Sequence, residues 1–63
     1  MLEAREILHA VAALPDGQRR VLTAVDVAGL SYTEAAAVLG MPAGTVMSRL
    51  SRGRDRVAAA VGA

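Results

Sequence analysis

Sixty-three residues make one small domain, close to the lower limit at which a hydrophobic core folds unaided. With no cysteine and a single histidine, His9, neither a disulfide framework nor a thiolate or imidazole metal cluster is available. Hydrophobic residues are 54% of the chain but mostly Ala, Val and Leu, with one Tyr and no Phe or Trp, which favours closely packed helices over a bulky core.

No run of about 18 apolar residues occurs, so no membrane-spanning helix is expected. Glu3 and Glu6 within the apolar N-terminal stretch do not fit a secretory signal, and a cytoplasmic location is expected. The net charge of +1 hides an asymmetry. Residues 1–40 carry Arg5, Arg19 and Arg20 against Glu3, Glu6, Asp16, Asp26 and Glu34. Residues 41–63 carry Arg49, Arg52, Arg54 and Arg56 against Asp55 alone. Positive charge gathers on the last segment, where a polyanion would be met.

Four helices are predicted over residues 1–63, at about 2–13, 16–28, 32–39 and 43–61, giving an all-α, small four-helix domain. Ile7, Leu8, Val11 and Leu14 keep helical spacing in the first, and Pro15 biases Leu14 out of the helical region. Asp16 is the expected N-cap of the second, Val21, Leu22 and Val25 its inner side, and Gly29 its end. Ser31-x-x-Glu34 reads as a capping box opening the third helix, with Ala35, Ala36 and Leu39 inward and Gly40 as C-cap. Met41-Pro42 forms the turn, since proline suits the first helical turn, and the fourth helix frays into Gly62-Ala63. A C-terminal helix-turn-helix over 31–56 follows.

Successive residues advance about 100° around a helix. With Val46 at zero, Leu50, Gly53, Val57 and Val61 fall within roughly 60° and form an apolar stripe. Gly44, Ser48, Ser51 and Asp55 fall opposite, and Thr45, Arg49, Arg52 and Arg56 form a bordering edge. A helix entering the DNA major groove needs small residues where its backbone nears the bases, donors for base edges, and cations along the phosphates. Gly44, Ser48 and Ser51 meet the first need; Ser48, Arg49 and Arg52 the second; Arg54 and Arg56 are placed for phosphates or solvent. The N-terminus of the helix, around Ala43-Gly44-Thr45, offers free N–H groups to a phosphate.

These residues resemble a known family. Leu14-Pro15-x-x-Gln18-Arg19-x-Val21-Leu22, then Gly29-Leu30-Ser31-Tyr32-x-Glu34-x-Ala36, then Gly44-Thr45-Val46-x-Ser48-Arg49-Leu50-x-Arg52-x-Arg54 look like region 4 of a bacterial RNA polymerase sigma factor of the extracytoplasmic-function (ECF) type. The similarity runs from about residue 7 to 57. It implies a domain that reads the promoter −35 element and binds the β flap of the polymerase. By resemblance, Met47, Ser48, Arg49, Ser51 and Arg52 approach the −35 DNA, while Arg20, Tyr32 and Thr33 lie near its backbone. Met47 stands where many members carry Lys or Arg, and Ser51 is shorter than the side chains often found there. Methionine donates no hydrogen bond, so a contact there would be apolar, and part of the readout would fall to DNA shape. Nothing in the sequence corresponds to region 2, so the chain is expected to be an isolated region 4 from a longer protein.

Other residues have plainer readings. His9 is a solvated or half-buried helix residue, Glu34 is explained by capping, and Asp55 is expected to pair locally with its neighbouring arginines. Tyr32 is either a phosphate hydrogen-bonder or a packing residue, and Gly53 marks either a close helix crossing or simple tolerance. Leu8, Val11, Leu22 and Val25 either fill the core or leave an apolar groove for a partner helix. The resemblance would make that partner the polymerase flap or an anti-sigma factor. Two other readings are a response-regulator output domain, which shares the helical plan, and a sigma-like module acting mainly through an anti-sigma factor. No nucleophile–base pair, metal cluster or phosphate loop is present, so no catalysis, cofactor or small-molecule substrate is expected.

Overall fold

Proline and glycine punctuate the chain into the segments that the sequence predicts. The computed structural model describes residues 4–62. Helix α1 spans Ala4–Ala12; the expected start at Leu2 lies outside the described residues. Ala13 and Leu14 turn off it, the Leu14 N–H donating to the Val11 carbonyl at 3.1 Å, and Leu14 plugs the core ahead of Pro15.

Helix α2 spans Asp16–Leu22. Here the expected cap differs: Pro15, with extended ψ of 147°, takes the N-cap position and makes no side-chain bond. Asp16 is instead the first helical residue, and its carboxylate reaches one turn on to Arg19 and Arg20. The acid still meets the positive end of the helix dipole.

The second helix was expected to run on unchanged to residue 28. Its last stretch, Thr23–Val27, widens into a π turn, the Ala28 N–H donating to the Thr23 carbonyl at 2.9 Å. Thr23, Val25 and Val27 are β-branched, which disfavours a tight α-turn. Gly29, at φ +78°, reverses the chain, and the Leu30 N–H donates to the Ala24 carbonyl at 3.0 Å.

Helix α3, Tyr32–Leu39, opens with both halves of the capping box. The Glu34 N–H donates to Ser31 Oγ at 3.1 Å, and the Ser31 N–H donates to Glu34 Oε1 at 2.9 Å. Gly40, at φ +66°, closes the helix in the left-handed region that favours glycine. After the Gly40–Pro42 turn, α4 runs from Ala43 to Gly62 without fraying at Gly62. At about 1.5 Å per residue it is roughly 30 Å long, a spine against which α1, α2 and α3 all pack.

The core comprises Val11, Leu14, Val21, Leu22, Ala24, Ala35, Val46 and Leu50, and no charged or polar residue among the described ones is buried with them. Gly53 is buried where α4 crosses α2. A Cβ there would stand 3.4 Å from Leu22 Cδ1 and 3.5 Å from Gln18 Cβ. The crossing is therefore close, yet it leaves room for one methyl group. Alanine gains about 1 kcal/mol of helix propensity over glycine, so Gly53→Ala should melt at or above the wild-type temperature. Gly53→Leu should overpack the crossing and lose about 1–3 kcal/mol. Thermal unfolding by circular dichroism checks both, and a clear destabilisation by alanine would contradict this packing.

Candidate nucleic-acid interface

Helix α4 is anchored from one side. Val46 is 0% and Leu50 1% exposed, and Gly53 is buried, so the opposite flank must face outward. Gly44, Met47, Ser48, Arg49, Ser51 and Arg52 are all exposed, and Thr45 is half-buried beside the turn. The small polar flank and its arginine edge thus stand together on the surface. Ser48 Oγ donates to the Thr45 carbonyl at 3.2 Å, which leaves its lone pairs free to accept. The Pro42 carbonyl takes the Thr45 and Val46 N–H groups at 3.0 and 3.1 Å, so the helix proper begins there, with earlier N–H groups at its open end.

The arginines divide into two sets. Arg49, Arg52 and Arg56 have no carboxylate partner among the described residues. Arg49 Nη1 reaches back over the turn to the Met41 sulfur at 4.0 Å. Arg54 behaves differently from the expected phosphate contact. Its Nη2 and Nε donate to the two carboxylate oxygens of Asp26 at 2.6 and 2.9 Å, tying α4 to the π turn. Counting about 100° per residue puts Arg54 roughly 80° from Val46, on the flank away from Arg49, Arg52 and Arg56.

The pair alters both partners. The hydrogen bond from Arg54 is the largest influence on Asp26 and holds its carboxyl below the usual range, against a small opposing effect of burial. The hydrogen bond to Asp26 likewise raises the Arg54 guanidinium, and Tyr32 acts in the same direction. Tyr32 therefore stands near this pair, 39% exposed at the start of α3, with Thr33 exposed beside it. Arg20 is exposed, and its Nε lies 3.3 Å from Asp16 Oδ2. Asp55 makes none of the ion pairs expected of it among the described residues; the acid that engages an α4 arginine is Asp26.

The expected partner-binding set is split. Leu8 is 60% exposed and Val25 half-buried against the core, but Val11 and Leu22 are core residues, 8% and 5% exposed, because they fill the seam between α1, α2 and α4. A mainly apolar groove of about 310 Å³ remains beside α1, walled by Ile7, Leu8, Val27 and Val57, floored by Val11 and Leu22, and rimmed by Asp26 and Arg54. Ile7 and Val27 were not expected in it; both are apolar and 40% and 63% exposed. Among the described residues no acidic or histidine cluster suits a metal ion, and no helix is long and apolar enough to cross a membrane.

A short helix, a three-residue turn and a longer helix presenting a small polar and cationic face define a helix-turn-helix domain. The family model for sigma-70, region 4 matches residues 4–57, and the chain belongs to that family. The chain is 44% identical over 54 residues to the probable RNA polymerase sigma-C factor of Mycobacterium bovis, covering 86% of this chain and 29% of that protein. It is 41% identical over 58 residues to the ECF RNA polymerase sigma factor EcfG of Rhodopseudomonas palustris, with 92% and 32% covered. Against the ECF RNA polymerase sigma-E factor of Escherichia coli K12 the identity is 39% over 56 residues, with 87% and 29% covered. The chain spans about three tenths of the length of these relatives. This membership does not favour the response-regulator reading.

Two carboxylates carry a pH signature. Glu34 is held below its ordinary value, first by the Ser31 backbone N–H and then by the Ser31 hydroxyl, as Asp26 is by Arg54. A depressed folded-state value means that each group's stabilisation is complete above the ordinary carboxylate range and is lost as pH falls through the depressed value. The melting temperature should therefore decline from about pH 5 toward pH 2. The decline should be shallower in Asp26→Asn and in Glu34→Gln. An unchanged slope in both variants would contradict the assignment.

Proposed function

We propose that this chain is the −35-reading module of an ECF sigma factor, which lays α4 in the promoter major groove and also docks on RNA polymerase. The observation that carries this reading is the outward face of α4: Gly44, Ser48 and Ser51 let the backbone approach the bases, and Arg49, Arg52 and Arg56, without a carboxylate partner among the described residues, border them. Arg49 and Arg52 donate to base edges or phosphates, and the open N–H groups of Ala43 and Gly44 meet a phosphate, the Thr45 N–H being taken by the Pro42 carbonyl. Thr33, Tyr32 and Arg20 face the DNA backbone. Met47, 52% exposed, offers an apolar contact such as a thymine methyl, and DNA shape supplies the discrimination it cannot. Arg54 is left out of this contact set because Asp26 already occupies its guanidinium.

The groove around Leu8 is the surface assigned to the β flap, and an anti-sigma factor would compete for it or for the DNA face. Acting in the cytoplasm, the module contributes recognition to transcription initiation; opening the promoter belongs to other parts of a sigma factor. Fluorescence anisotropy with promoter and scrambled duplexes at two salt concentrations tests the DNA reading. Binding should be weak, salt-sensitive and stronger for the promoter duplex, because one small module neutralises few phosphates. Arg52→Ala should weaken it roughly fivefold or more. Leu8→Asp should impair flap binding and leave DNA binding intact. Equal affinity for the two duplexes would overturn sequence reading.

A further inference from the structure

We infer that Gly17 is a positioning residue for DNA recognition: its missing side chain is the seat on which the Arg49 guanidinium lies, and that seat fixes how Arg49 meets DNA. The inference deepens the proposed function and rests on α4 being the recognition helix.

Gly17 lies in the first turn of α2, where glycine weakens a helix. Its backbone is not in the left-handed region, which among the described residues only Gly29 and Gly40 occupy, so backbone geometry does not demand a glycine. The remaining physical use of a glycine is close approach. A Cβ built at residue 17 would stand 3.1 Å from Arg49 Nη1, 3.3 Å from Cζ and 3.5 Å from Cδ. The guanidinium and the end of its stem therefore lie across the backbone of α2. The chain's other glycines differ in this respect. Gly29, Gly40, Gly44 and Gly62 face open space, and Gly53 meets groups of Leu22 and Gln18.

The guanidinium is bracketed from a second direction by the Met41 sulfur, at 4.0 Å from Nη1. Glycine and methionine hold the group without neutralising it. The acid adjacent in sequence, Asp16, is already engaged by Arg19 and Arg20. Arg49 is thus directed by two neutral neighbours and keeps its full charge, with donors left for a phosphate or a base edge. A cation held in place before binding loses less rotamer freedom when it binds. A methyl group at residue 17 would crowd the guanidinium and shift it on its seat by a few tenths of an ångström. Because the atoms displaced are the far end of a flexible side chain, the fold would be spared.

The test uses the ¹⁵N-labelled 63-residue chain, its Gly17→Ala, Gly17→Asp and Arg49→Ala variants, and the double variant Gly17→Ala with Arg49→Ala. Gly17→Ala should keep or raise the melting temperature and shift the Arg49 Nε–Hε resonance of the free protein. It should weaken promoter-duplex binding about fivefold, with no further loss in the Arg49→Ala background. Gly17→Asp should tie up Arg49 and lower the salt dependence of binding by about one phosphate contact. If Gly17→Ala leaves both the Arg49 resonance and the affinity at wild-type values, the seat is overturned and the promoter reading stands. A loss that persists undiminished in the Arg49→Ala background overturns the seat in the same way. A wild-type chain that binds promoter and scrambled duplexes equally overturns the promoter reading, and this assignment with it.

Discussion

The rotation of α4 about its own axis is the constraint on which the domain depends. Val46 and Leu50 are almost fully buried against a core of small aliphatic residues, and Gly53 lets the helix settle against α2. Their burial fixes which sector of the helix faces out. A turn of one residue, about 100°, would expose Val46 and pull Met47 inward, so the apolar stripe and the polar face are specified together. The capping box at Ser31 and Glu34 and the left-handed Gly40 set where α3 starts and stops, and with Pro42 they fix how the chain enters α4. Local hydrogen bonding at the turn and nonlocal burial along the spine therefore favour the same placement of the outer face.

Electrostatics sharpen that placement. The formal charge is only +1, but the ion pairs decide where positive charge stays uncompensated. Asp16 takes up Arg19 and Arg20 on α2, and Asp26 takes up Arg54 on the flank of α4 that faces the π turn. Arg49, Arg52 and Arg56 are left without a carboxylate among the described residues, along the edge that borders Gly44, Ser48 and Ser51. One arginine of the last helix thus helps hold the architecture, while its neighbours keep their charge for a polyanion. The Asp26–Arg54 pair also rims the apolar groove, so the two candidate binding surfaces lie on different flanks of one helix.

What could be read from the sequence was mostly local. The capping box needs two side chains three residues apart, the glycine stop needs one, and the stripe Val46–Leu50–Gly53–Val57 follows from helical spacing alone. The features that escaped depend on residues brought together from different elements. The Asp26–Arg54 pair joins positions 28 apart, and the contact of Arg49 with Gly17 joins α4 to α2. One clue was present: Arg54 falls off the arginine edge by simple angular counting, which argues against grouping it with Arg56. The π turn had only the β-branched run Thr23, Val25 and Val27 to announce it. Asp16 read as a cap because aspartate favours that position, but the extended Pro15 already filled it. Val11 and Leu22 were ambiguous because helical spacing identifies an apolar side without saying how many neighbours share it.

The orientation of α4 is tested most directly by titrating the ¹⁵N,¹³C-labelled chain with a −35 duplex and following every amide and methyl resonance. The largest shifts should fall on Gly44 to Arg52, with the methyl groups of Leu8 and Val27 unmoved. Shifts centred on Leu8, Val27 and Val57, with Ser48 and Arg52 unaffected, would contradict it.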